Sequence, residues 1–192
     1  MKAKPQNTEQ SRTSQPRTPK IPRKITPDYL RNAGLYYLGR YNATTHKFRT
    51  VMMNKITKSI KHHEHPPLHD AQEWLDVVIN DFTRLGYLND QNYSQSYIKG
   101  MKDKGFSSRK ISQKLNEKGI SNFLTSDNAI DDLIQLLKHI KRKRLGAFST
   151  KPINHEKLLA NLARQGFGYN ECQKALNMTA DEINDYLYEM DA

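Results

Sequence analysis

The apolar residues of this chain recur every three or four positions, which is the period of a helix with one buried face. Leu30, Ala33, Tyr37 and Tyr41 share such a face, and Leu75, Val78, Ile79, Phe82 and Leu85 form a longer stripe before Gly86. Tyr93, Tyr97 and Met101 run up to Gly105. Ile111 and Leu115 run up to Gly119, and Ile130, Leu133, Ile134 and Leu137 lead into a basic turn before Gly146. A glycine just past an apolar stripe, with Lys or Arg in the last turn, satisfies the final carbonyls and complements the helix dipole. The start signals agree. Thr26 is an N-cap with Pro27 and Asp28 in the first turn, and Thr179 with Glu182 reads as a capping box. No segment alternates with period two for long enough to make a strand. The pattern predicts an all-α chain.

Two of these stripes are near copies. "KGFSSRKISQKLNEKG" occupies residues 104–119, and "QGFGYNECQKALN" occupies residues 165–177. An offset of 61 pairs Gly105 with Gly166, Phe106 with Phe167, Ile111 with Cys172, Leu115 with Leu176 and Asn116 with Asn177. An offset of 63 sets Phe48, Met52 and Thr45 against Ile111, Leu115 and Ser108. A short helical unit cannot bury its apolar face alone, so repeated units stack on their neighbours. The expected organisation is a basic arm over residues 1–25 and three tandem three-helix repeats over 26–88, 89–148 and 149–192.

Composition refines this picture. The chain has 192 residues, 36% of them hydrophobic, and a mean hydropathy of −0.86, which suits thin helical layers better than one deep core. No apolar run approaches the roughly 18–20 residues a membrane span needs. Cys172 stands alone, so no internal disulfide can form, and a reducing cytoplasm is the expected compartment. Residues 1–24 hold seven cations against Glu9, a net +6 of the chain's +11, with almost no apolar side chains. Such a segment cannot offset its ordering entropy by burial, so a disordered arm is expected. From Glu171 onward the sign reverses, with Asp181, Glu182, Asp185, Glu189 and Asp191 against Lys174.

Catalytic constellations are missing from the sequence. "NHEKLL" begins like a zinc-protease helix but has Leu159 where the second histidine must stand. His62, His63, His65, His69 and Asp70 are dense enough to suggest metal ligands, yet Pro66 and Pro67 break any helix that would align them. A solvated loop is the expectation there, with no cofactor and no metal. What remains is a binding surface. Residues 99–118 hold seven cations against Asp103 and Glu117, and five cations crowd residues 138–144. That exceeds what a helix terminus needs for its dipole. The expected contact surface comprises Lys102, Lys104, Arg109, Lys110 and Lys114, together with Lys141, Arg142, Lys143 and Arg144.

At "LGYLND" (residues 85–90), then "YSQSYI" and "GFSSRKISQKLNEKGI", the chain resembles the RecX family, small regulators of the bacterial recombinase RecA. "RKRLGAF" (142–148), "LARQGFGYNECQKAL" (162–176) and the early "YLGRYNATTHKFRTVMMNKI" extend the resemblance over roughly residues 29–187. The resemblance implies an elongated, curved, solenoid-like molecule of three-helix repeats that lies along the RecA nucleoprotein filament. It implies modulation, foremost inhibition, of ATPase, strand-exchange and coprotease activities, by a monomer with no membrane partner. The basic arm and the His-rich loop depart from the family's shared core. A competing expectation is a helical architectural protein whose cations contact single- or double-stranded DNA directly.

Overall fold

The computed structural model describes residues 21–121, 130–152 and 154–191. Nine α-helices follow in order among these residues, with no strand: α1 (Pro27–Leu38), α2 (Thr45–His63), α3 (Leu68–Arg84), α4 (Asp90–Lys102), α5 (Ser108–Asn116), α6 (Asp132–Lys143), α7 (His155–Arg164), α8 (Tyr169–Leu176) and α9 (Ala180–Asp191). A short 3-10 turn at Gly146–Phe148 follows α6. The chain is all-helical, as its apolar period requires.

The starts follow the polar signals. Thr26 caps α1 by accepting from the Tyr29 amide at 3.1 Å. At α9 the capping box closes in both directions. The Thr179 amide donates to Glu182 at 2.7 Å, and the Glu182 amide donates to the Thr179 hydroxyl at 3.3 Å. Two stripes end earlier than their periodicity suggests. Helix α1 stops at Leu38, capped by Gly39, so Tyr41 lies beyond it. Leu85 is the C-cap of α3 and is 52% exposed, because the chain has already turned toward Gly86.

The first three helices enclose one core. Phe48, Met52 and Ile56 of α2 meet Leu75, Ile79 and Phe82 of α3, with Leu30 of α1 closing the layer. Ion pairs from Arg31 to Asp81 (2.9 Å) and from Arg49 to Asp76 (2.5 Å) tie α1 and α2 to α3. Residues 1–20 of the basic arm lie outside the described residues, but its last residues are anchored. Ile25 is buried in this core, and the Arg23 carbonyl accepts from the Ser59 hydroxyl at 2.8 Å.

Ile98, Met101, Ile111, Leu115 and Ile120 build the next core, from α4, α5 and the turn that follows α5. Helix α6 divides its faces between neighbours. A Cβ on Gly105 would lie 2.8 Å from the His139 amide nitrogen and 2.9 Å from the Gln135 carbonyl, so only glycine lets the α4–α5 turn rest on α6. Leu136, Leu137 and Ile140 of α6 instead enter the last core, with Leu162, Phe167, Cys172, Ala175 and Ile183. The two repeat copies show where sequence equivalence ends. Ile111, Cys172 and Leu115 are all buried, but Leu176 is only half-buried, packed near Gly146, while Ala175 takes the deep position.

Candidate partner-binding surface

Helix α6 begins at Asp131, whose carboxylate accepts from the Leu133 and Ile134 amides, and ends in a left-handed cap at Arg144 (φ 52°). Its apolar face is spent on the last core, which leaves Lys141, Arg142, Lys143 and Arg144 in the final turn facing solvent. None of these four has a salt-bridge partner among the described residues. The concentration of positive charge reaches inward. His139, buried on the same helix, is held below the ordinary imidazole range by burial first, then by Arg142 and Lys143, against an opposing contribution from the Gly105 backbone.

The tertiary structure lays α9 beside this turn. Lys138, Lys141 and Arg142 line an open cavity of about 650 Å³ with Asp103 from the end of α4 and Asn184, Asp185, Leu187 and Tyr188 from α9. Tyr188 is 79% exposed at its rim. Nothing in the sequence pairs α9 with α6, since the acidic tail reads there as a separate charge block. The period of Ile183 and Leu187 was the available signal: both are buried against the core that holds Leu137 and Ile140.

The middle cluster divides into two. Lys102 and Lys104 flank Asp103 in the chain, and Asp103 lines the cavity shared with the α6 turn. Arg109 lies at the start of α5, beside the Gly166 turn of the last unit. Lys110 and Lys114 belong to a local network on α5 instead. Lys110 reaches Gln113, Gln113 reaches Glu117, and Lys114 pairs with Glu117 at 2.8 Å. That hydrogen bond raises the Lys114 pKa and lowers the Glu117 pKa.

Other candidates are placed as follows. His62 and His63 end α2, and His69 lies on α3 within 3.8 Å of Asp70 and 3.6 Å of Glu73. No group of three or more potential ligands among the described residues is arranged to hold a metal ion. The Cys172 thiol is buried and pushed up to about 11, chiefly by that burial. No helix among the described residues is long and apolar enough to cross a membrane.

A family model described as the second three-helix domain of RecX matches residues 89–126. The regulatory protein RecX of Myxococcus xanthus is 34% identical over 171 residues, which cover 84% of this chain and 91% of that protein. The chain belongs to the RecX family. The regulatory protein RecX of Lactococcus lactis subsp. lactis is 27% identical over 168 residues, and the match spans 81% of this chain but 57% of that longer relative. The crystal structure of RecX from Lactobacillus salivarius aligns over 84% of this chain and 96% of its own, with 21% identity and a TM-score of 0.49. The RecX family model falls on α4 and α5, whose glycine turn rests on α6.

Proposed function

We propose that this chain binds the RecA nucleoprotein filament and lowers its ATPase, strand-exchange and coprotease activities. Membership of a family of regulatory proteins supports a regulatory role. The observation that carries the contact surface is the α6 turn: Lys141, Arg142, Lys143 and Arg144 are exposed and without salt-bridge partners among the described residues, beside a cavity walled by α9. Four exposed cations in one turn repel each other, so their clustering suits an anionic partner surface. Lys102 and Lys104 extend the proposed surface, and Arg109, Lys110 and Lys114 continue it along α5. In this reading the chain acts as a monomer in the cytoplasm, without catalytic chemistry of its own, and its repeats keep the boundaries 26–88, 89–148 and 149–192. RecA's DNA-dependent ATPase, measured with and without the protein, tests the proposal. Inhibition at substoichiometric ratios to RecA supports it, and an unchanged rate at equimolar protein rejects it.

A further inference from the structure

The joint between the first two units carries a surface of different chemistry. Four rings run outward from the first core: Phe82 to Phe48 at 5.8 Å, Phe48 to Tyr37 at 6.2 Å, and Tyr37 to Tyr41 at 5.0 Å. The column ends at Tyr41, which lies beyond α1 and is 57% exposed. Across the joint, Tyr93 and Tyr97 of α4 stack nearly parallel, 6.0 Å apart and inclined by 12°. The Lys118 ammonium stands over both rings, 5.1 Å from Tyr97 and 5.8 Å from Tyr93. Tyr37, Tyr41 and Tyr93 line a cavity of about 400 Å³ with His46, Lys47 and Lys118.

The groove is preorganised. The Thr44 hydroxyl donates to the Lys118 carbonyl at 2.8 Å, locking the floor of the joint. Glu117, the acidic residue of its wall, is neutralised by Lys114 at 2.8 Å. Tyr37 keeps its phenolic proton to higher pH than usual, through burial first and then the neighbouring Tyr41 and Tyr93. Its wall therefore offers hydroxyl donors, ring faces and ammonium groups together.

We propose that this groove binds single-stranded nucleic acid, an unstacked base extending the ring column at Tyr41 and backbone phosphates lying on Lys47 and Lys118. A purely anionic partner would need the cations but not the rings. A duplex would offer phosphates but keep its bases stacked and out of reach. Rings and cations side by side are the arrangement that single strands use. The proposal does not rest on the RecA contact, and its test omits RecA.

The experiment measures fluorescence anisotropy of a labelled oligothymidylate of about ten nucleotides, within the usual span of a single-strand site. The whole chain should bind it, and Tyr41→Ala should weaken binding about tenfold while Tyr41→Phe stays within about twofold, because stacking needs the ring and not the hydroxyl. Lys47→Gln and Lys118→Gln should each reduce the slope of log affinity against log salt by about 0.7. A blunt duplex of equal length, or an oligoglutamate, should bind at least about tenfold more weakly than the single strand. The proposal is overturned if the parent fails to bind, if Tyr41→Ala binds like the parent, or if duplex or oligoglutamate binds as tightly. Should Tyr41→Ala lose helicity by circular dichroism, the duplex comparison and the salt slope of Lys118→Gln decide the matter.

Discussion

Thr44 and Ser107 stand 63 residues apart and make the same pair of hydrogen bonds. Each caps its own helix, accepting from the Lys47 amide (3.1 Å) or the Lys110 amide (3.2 Å). Each hydroxyl also donates out of its helix group, Thr44 to the Lys118 carbonyl at 2.8 Å and Ser107 to the Gln165 carbonyl at 2.7 Å. The next residue repeats the device. Thr45 donates its amide and hydroxyl to Asp90, and Ser108 donates both of its own to Asp132. In the last unit the corresponding residues are Gly168 and Tyr169, and Gly168 makes no side-chain cap.

Removing either hydroxyl should cost both a cap and a joint. Ser107→Ala and Thr44→Ala should each destabilise the chain by about 1–2 kcal/mol. The two sites share no partner, so the double variant should lose about the sum. Urea unfolding followed by circular dichroism at 222 nm, the usual helix band, measures this. Parent-like midpoints for both variants would mean the joints are held by packing alone.

Gly166 separates backbone strain from close approach. It adopts φ +93°, and a Cβ there would overlap the Ser107 hydroxyl. Gly86 adopts φ +78° with open space around it. Gly86→Ala should therefore cost the left-handed penalty alone, about 1–2 kcal/mol. Gly166→Ala should cost clearly more, because the Ser107 bond must also break. Equal losses in melting temperature would show that the joint yields without resistance.

His139 makes stability depend on pH. Its folded pKa lies below the ordinary value, so the unfolded chain binds the proton more readily. Its neutral form stabilises the fold fully above the unfolded value of about 6.5. That contribution is lost as pH falls from there toward the depressed folded value. Tm should drop between about pH 7 and pH 5, and His139→Gln should flatten that part of the profile. A variant that retains the full slope would assign it to another group.

The proposed RecA contact predicts an effect without a fold change. Reversing Arg142, Lys143 and Arg144 to Glu should abolish most of the ATPase inhibition while helicity is kept. Reversing Lys55 and Lys58, exposed on α2, should have a smaller effect. Inhibition by the triple variant equal to that of the parent, across a range of salt, would place the contact elsewhere.

Local chemistry was enough to write the helices into the sequence. Caps at Thr26 and Thr179, and glycines at 105 and 166, act through bonds and backbone angles within a few residues, so their outcome hardly depends on the rest of the fold. The paired positions Phe48 and Ile111, or Met52 and Leu115, were legible for the same reason, since an apolar period of three to four residues fixes which face is buried. What the tertiary structure decided was allegiance and proximity. Helix α6 gives Leu136, Leu137 and Ile140 to the last core, because an apolar face can be buried against any neighbour that fits. Tyr41 lies past its helix yet joins Tyr93 and Lys118 in one groove, and Asp185 lines another together with Arg142. Hydrophobic burial is non-directional, so sequence spacing states which residues go inside. It does not state which partners meet there, and those meetings make the surfaces.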